Sequence, residues 1–259
     1  MDELVRDGRA LRFLAAGTGP AMVLVHGWCS DHTAFAPQFA HFAPTHRVVA
    51  PDLRGHGASD PAASYTVSDF ADDLAWMSRQ LELDRAVVVG HSMGGMVAIE
   101  AAAAYPEVFA AAITLDSPLV DDPLLAAGLD FQHDLFGGPR RAADGPGLLR
   151  RALFGPYDDH DRATEIIAAM MQTPAEVGLP SLAALKAWLP SRRLLDCTQP
   201  VLCVHIKGGG PTDPTVVAAD HPNVMVAQTI GAGHFIQLEV PDQVNAMIER
   251  FLTITAVHA

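Results

Sequence analysis

The sequence predicts an α/β fold, a mainly parallel sheet flanked by helices, with a block of short helices inserted in its second half. Three observations predict it. Runs of β-branched and small apolar residues alternate along the chain with segments of helical periodicity. One such run passes through a glycine–serine turn straight into a helix, at AVVVGHSMGGMV (86–97). Between 118 and 197 the strand pattern stops, and only short amphipathic segments separated by Gly and Pro remain.

The stretch 86–97 organises the rest. Val87–Val89 reads as a buried strand ending at Gly90, and Met96–Ala104 as a helix of small residues. Between them His91-Ser92-Met93-Gly94-Gly95 completes a G-x-S-x-G nucleophile elbow, a strained turn that lifts a serine hydroxyl clear of the backbone. Ser92 is the candidate nucleophile, and the Met93 amide points toward the same space. An inert serine in a glycine-rich turn is the plain alternative, and the flanking strand and helix favour the elbow.

In chain order, Leu11–Ala15 and Ala21–Val25 read as strands separated by the turn Gly17-Thr18-Gly19-Pro20. The second runs into His26-Gly27-Trp28-Cys29, a tight bend that can aim the Trp28 amide inward as a second oxyanion-hole donor beside Met93. Thr33–Phe42 is a helix candidate with Phe35, Phe39 and Phe42 facing the core. His46–Ala50 is the next strand and leads into PDLRGHGASD, where Asp52 and Arg54 are expected to brace the loop and His56 to be structural. Thr66–Leu83 is a helix whose start, Thr66-Val67-Ser68-Asp69, resembles a capping box, with Phe70, Leu74, Met77 and Leu81 as its apolar stripe. Ala111–Leu115 is a further strand and stops at Asp116-Ser117-Pro118.

Residues 118–197 read as an inserted helical cap dividing a core of 1–117 and 198–259. Its Arg140, Arg141, Arg150, Arg151, Arg192 and Arg193 suggest a solvated face. Met170, Met171, Trp188, Phe131 and Phe136 are candidates to line a pocket, although side chains in such a pattern are more often plain core. Val201–Ile206 resumes the strand pattern, and Val224–Thr229 delivers Gly231-Ala232-Gly233-His234-Phe235, a histidine on a glycine-rich loop. Pro241–Leu252 is the closing helix.

Composition bounds the partners. The 259 residues, 49 % hydrophobic, fit one large domain with an ample core. A net charge of −13 and a pI near 5.2 argue against nucleic acid and anionic membrane surfaces. The three cysteines, Cys29, Cys197 and Cys203, lie far apart and form no C-x-x-C pair. A reducing, cytoplasmic setting without disulfides is the expectation. The N-terminal stretch MDELVRDGRALRF has no apolar run of signal-peptide length. The most apolar span, Met96–Leu115, is broken by Glu100, Pro106 and Glu107, so no membrane span is expected.

Trp28, Ser92, Asp116 and His234 each fall at the carboxyl end of a strand, where open parallel sheets bind ligands. A serine hydroxyl needs a base within hydrogen-bond reach and a third group to orient that base. His234, after the last strand and in the order Ser…acid…His, is the candidate base.

HGW (26–28), PDLRGHGASD (51–60), GHSMGG (90–95) and GAGHF (231–235) resemble, in order and spacing, the motifs of the α/β-hydrolase fold superfamily. The resemblance covers nearly the whole chain and implies the α/β-hydrolase fold with an inserted cap. Its reactions are diverse: esterases, lactonases, amidases, C–C hydrolases, haloperoxidase-like enzymes and some non-hydrolytic members. Relatives that open epoxides or remove halides carry Asp at the nucleophile position, so Ser92 points away from both. Most relatives place the triad acid just beyond the strand that here is Val201–Ile206, where this chain has Gly208-Gly209. The resemblance therefore leaves two acids, Asp116, at the strand end a minority of relatives use, and Asp213, with Asp116 preferred. GWCSDH (27–32), VHIKGGGPTDP (204–214) and HF…VPD (234–242) are similar to a small branch containing cofactor-independent dioxygenases of quinolone catabolism. Those enzymes use a His–Asp pair to deprotonate an aromatic hydroxyl that then reacts with O₂. They typically carry histidines where this chain has Met93 and Ser30.

The expected activity is hydrolysis of a small-molecule carboxylic ester or lactone through an acyl-enzyme on Ser92, with no metal or organic cofactor. The alternative is a dioxygenase of a hydroxyquinolone-like aromatic using His234 and Asp116 as base, and the third reading a non-catalytic binding module.

Overall fold

The computed structural model describes residues 1–119, 123–188, 190–206 and 221–257, so Asp213 and Gly208-Gly209 lie outside the described residues. Asp2–Arg6 (β1) pairs antiparallel with Arg9–Ala16 (β2) in a hairpin that the strand pattern alone does not predict. Its turn is Asp7-Gly8, both residues with positive φ (51° and 78°). An Asp-Gly pair in that conformation matches the right-handed twist of the flanking strands. The expected first strand, Leu11–Ala15, is thus the second, and it is longer than expected.

The sheet continues with Ala21–Val25 (β3), Arg47–Pro51 (β4), Ala86–His91 (β5), Phe109–Leu115 (β6), Val201–Ile206 (β7) and Val224–Thr229 (β8). Its order is β1-β2-β4-β3-β5-β6-β7-β8. β1, β2 and β4 pair antiparallel, and every pair from β4 onward through β3 to β8 is parallel. Every residue of β3, β5 and β6 is buried, as strands covered by helices on both faces require.

The two faces divide the alternating side chains of β5. Val87 and Val89 pack with Phe35, Phe42, Ile248 and Phe251, the last two from the closing helix Pro241–Thr255. Ala86 and Val88 join Phe70, Leu74, Met96 and Ile99 on the opposite face. Burying each such large side chain contributes about 1.5–3 kcal/mol. Phe42 belongs to helix Ala36–Phe42 (α1), preceded by a 3₁₀ turn, His32–Phe35. The helix expected over Thr33–Phe42 is therefore split, with Pro37 in the first turn of α1, where a missing N–H costs nothing.

Val67–Gln80 (α2) starts on a true capping box. Thr66 accepts from the Asp69 amide while the Asp69 carboxylate accepts from the Thr66 amide. Met93–Ala104 (α3) begins three residues earlier than its apolar run suggests, directly after Ser92. The strand order reverses between β3 and β5: β3 leads outward to β4, whereas β5 leads the other way through β6 to β8. That switch point opens a crevice at the carboxyl ends of the strands.

Over this crevice lie Pro123–Gly137 (α4), Arg141–Leu153 (α5), His160–Gln172 (α6) and Ala175–Ala187 (α7), while Pro190–Asp196 (α8) packs on α3. The expectation of a solvated arginine face holds for Arg140, which pairs with Asp144 on the surface. It fails elsewhere. Arg141 donates to the Met171 and Thr173 carbonyls, and Arg193 to both oxygens of Glu100 in α3. These guanidinium groups satisfy carbonyls at a helix end and a buried carboxylate, tasks that composition does not reveal. Among the described residues no helix is long and apolar enough to cross a membrane.

Candidate active site

Ser92 joins β5 to α3 with φ 54° and ψ −118°, a conformation L-residues rarely adopt and one that costs about 1–3 kcal/mol. The surrounding glycines make the turn possible. A Cβ on Gly90 would collide with the Gly94 carbonyl, and one on Gly94 with the Val25 and His26 carbonyls. The turn is closed by Ser92 N–H donating to Leu115 O at 2.9 Å and Gly95 N–H donating to Ser92 O at 3.0 Å. Strain at Ser92 is thus imposed by hydrogen bonds and close packing on both sides.

Met93 is the first residue of α3, so its amide is one of the donors a helix start leaves unpaired. Trp28 follows β3 on the other side of the switch point. Its indole Nε1–H donates to Gly178 O in α7 at 2.8 Å, and its ring packs edge-on against Phe136, 5.2 Å between centroids. His26 fixes the bend before it. The Leu53 amide donates to His26 Nε2 at 3.0 Å, so the proton lies on Nδ1, which donates to Gly27 O at 2.8 Å. Burial lowers the His26 pKa and keeps that ring neutral.

His234 follows β8 on a loop begun by Gly231 at φ 80°. Its Nδ1–H donates to Asp116 Oδ2 at 2.6 Å. A carboxylate oxygen only accepts, so Nδ1 carries the proton of this contact, and the His234 side chain is partly exposed. Asp116 itself stands at φ 45°, which Asp tolerates better than most residues. Its amide donates to Val204 O at 2.7 Å, and its Oδ1 accepts from Ile206 N–H at 3.4 Å. β7 thereby holds the acid that β6 delivers.

His91, not singled out by the sequence, is part of this site. Its Nε2–H donates to the His234 carbonyl at 2.9 Å, and the two rings lie 4.5 Å apart. Burial above all, and then the neighbouring His234, push its pKa well below the ordinary value, so it is neutral. Its position as the last residue of β5, adjoining Ser92, is the signal that could have found it.

A cavity of about 500 Å³ gathers these groups: Trp28, His91, Ser92, Asp116 and His234 all line it. No hydrogen bond joins Ser92 Oγ to His234 among the described residues, and such bonds are often loose before substrate binds. Of the five expected pocket residues only Met170 lines this cavity. Phe136 is buried against Trp28, Trp188 donates to Glu100 Oε2 at 2.9 Å, and Phe131 is 61 % exposed. Met171 packs against the core. Helical periodicity marks an apolar side but not its neighbour: Phe136 and Met171 take the core role and Met170 the cavity. His56 lies beneath the loop, buried, with Nδ1 bonded to Arg54 O, and does not line the cavity.

Asp31, His32 and Asp52 bring ligand atoms within 4.8 Å of one another, a spacing a metal could use. Asp52, however, accepts from the His32 amide and ring on one oxygen and from the Ala58 amide on the other, and Asp31 caps Thr33. The cluster braces the loop. Arg54 does likewise through Asp73 at 2.6 Å.

The family model of the alpha/beta hydrolase fold matches residues 20–241. The chain is 29 % identical over 256 residues to 2-(acetamidomethylene)succinate hydrolase of Mesorhizobium japonicum, covering 91 % of this chain and 89 % of that protein. A thermophilic esterase from Thermogutta terrifontis superposes with a TM-score of 0.85 at 25 % identity, both chains covered completely. Est816, described as an N-acyl homoserine lactone degrading enzyme, superposes with a TM-score of 0.82 at 26 % identity, covering 96 % of this chain and 100 % of that one.

Proposed function

The chain belongs to the alpha/beta hydrolase family, and from that premise we propose that it is a serine hydrolase of carboxylic esters or lactones, acting through an acyl-enzyme on Ser92. One observation carries the reading. The Asp116–His234 contact of 2.6 Å opens onto the same cavity as the strained Ser92. His234 Nε2 takes the hydroxyl proton as Oγ attacks the carbonyl carbon. Asp116 holds the ring tautomer and stabilises the imidazolium. The Trp28 and Met93 amides receive the oxyanion, a contribution of about 3 kcal/mol per donor where it has been measured. The imidazolium then protonates the departing alkoxide. Water, deprotonated by His234, attacks the acyl carbon and Ser92 leaves with its proton restored.

The cavity bounds the substrate class. Its described lining includes Leu129, Phe154, Met170, Leu182 and Leu185 and no Lys or Arg. That surface suits an uncharged small molecule with an apolar acyl chain better than a dianion such as a succinate. Relatives described as an esterase and a lactone-degrading enzyme support this reading. The three free cysteines are all buried, which fits a reducing, cytoplasmic setting.

The test is a panel of p-nitrophenyl esters of graded chain length, lactones and a hydroxyquinolone, with oxygen uptake recorded, together with a fluorophosphonate probe. Wild type should turn over esters or lactones and take one label, and Ser92→Ala should take none. Oxygen uptake and CO release with the hydroxyquinolone, retained in Ser92→Ala, would establish the oxygenase reading instead. No label and no turnover of any panel member would favour a binding module.

A further inference from the structure

The loop that carries His234 is held by the helical insertion as much as by the sheet. His234 N–H donates to Leu153 O at 2.8 Å, at the end of α5. The preceding amide, Gly233 N–H, donates to Asp158 Oδ1 at 2.8 Å, and the other oxygen of the same carboxylate accepts from Gly155 N–H, also at 2.8 Å. Contact is close enough to need glycine. A Cβ on Gly233 would lie 2.5 Å from Asp158 Oδ2, 2.6 Å from Gly155 N and 2.8 Å from Leu153 O. Around this clip Phe154 stacks on Phe235 at 5.3 Å. Arg162 donates to Leu238 O at 3.0 Å, and Glu239 accepts from the Asp159 amide at 2.9 Å. Leu153, Phe154, Gly155 and Pro156 also line the cavity, so whatever fills it touches the segment that grips the base.

We propose that Asp158 is a positioning residue for the base: its carboxylate clips the α5–α6 loop onto the His234 loop, making closure of the insertion and alignment of His234 with Ser92 one event. The inference rests on the reading of His234 as base. Asp116 fixes the ring through Nδ1 and His91 fixes the carbonyl, both from the sheet, whereas the two amides at 233 and 234 end on the insertion. Lifting the insertion leaves those amides without their acceptors and frees the loop to move the imidazole. A displacement of about 1 Å in a reacting group can lower a rate by about a hundredfold. Substrate pressed against Leu153–Pro156 favours the clipped state and so aligns the group that activates its own attack.

The experiment uses Asp158→Ala, Asp158→Asn and Gly233→Ala, with exposed Glu165→Ala as control, in the full chain. Two readouts are taken: hydrogen exchange of the 232–235 amides, and kcat and KM on p-nitrophenyl acetate with the fluorophosphonate labelling rate of Ser92. Asp158→Ala should speed exchange at 232–235 selectively and lower kcat and labelling by at least about tenfold, with KM within about twofold. Asp158→Asn, which keeps one acceptor oxygen, should recover much of the loss. Gly233→Ala should reproduce the defect by forcing the two loops apart, and it carries the test if Asp158→Ala does not fold. Glu165→Ala should match wild type. Wild-type exchange, kcat and labelling in a folded Asp158→Ala or Gly233→Ala overturn the proposal. A wild type that takes no label counts against Ser92 as nucleophile, and the clip is then judged on amide exchange alone.

Discussion

Asp116 Oδ2 and His234 Nδ1 meet at 2.6 Å across 118 residues of chain, one delivered by β6 and the other from beyond β8. β7 lies between those strands, and at its end the Ile206 amide donates to the other oxygen of the Asp116 carboxylate at 3.4 Å. The pair is partly exposed, and both residues line the cavity.

Asp116→Asn should therefore remove most activity while leaving the fold intact. The amide keeps the size but loses the charge and can favour the wrong ring tautomer, which in one well-studied triad lowers kcat about 10⁴-fold. The check is kcat on a p-nitrophenyl ester beside circular dichroism and thermal unfolding. Asp213→Asn should change kcat only a few-fold. The reverse ranking makes Asp213 the acid.

Gly94→Ala should unfold the elbow from within. Its Cβ collides with two carbonyls of the β3 end, and overpacking of that kind costs about 3 kcal/mol. Gly128→Ala is the opposite case: a Cβ at this helical position meets nothing within 4 Å. It should stabilise by about 0.5–1 kcal/mol through helix propensity. Urea midpoints of the two variants should move in opposite directions.

Acid should destabilise the protein through its buried histidines. Burial first, and His26 second, lower the His56 pKa to about 3 from 6.5. The unfolded chain then takes up the proton before the native state does. The stabilising contribution is full above about pH 6.5 and is lost as pH falls toward 3, at about 1.4 kcal/mol per pH unit for one such group. His26 and His91 act in the same direction. Urea unfolding from pH 7 to 4 should show this slope, and His56→Leu should flatten it by about 1 kcal/mol per unit. An unchanged slope in the variant assigns the acid lability to other groups.

Trp28→Phe should loosen the insertion. It removes the indole donor to Gly178 O, a hydrogen bond worth about 0.5–1.5 kcal/mol. The expected result is a lower unfolding midpoint and faster proteolysis within 123–196. Unaltered proteolysis with a lowered midpoint would show that the bond stabilises the core without tethering the insertion.

Much of this architecture was legible because its information is local. Val87–Val89, the glycines at 90, 94 and 95, and the small residues after them specify a strand, a strained turn and a helix by sterics over a dozen residues. The Thr66–Asp69 capping box is equally local, and its helix begins where the pattern says. The β1–β2 hairpin is not legible in the strand pattern despite its Asp-Gly turn, since its first strand is short, largely exposed and weakly patterned.

What the sequence by itself determined is the α/β class, the serine on its elbow, and a histidine and an acid each at the end of a strand. Tertiary structure decided which groups touch. That Asp116 meets His234 depends on the order of β6, β7 and β8, which the spacing of residues along the chain does not encode. That Met170 faces the cavity while Phe136 backs Trp28, and that Asp158 grips the His234 loop, depends on how helices of similar amphipathic pattern pack. Backbone conformation follows from near-neighbour sterics, whereas a contact between distant side chains follows from how the whole chain buries its apolar surface.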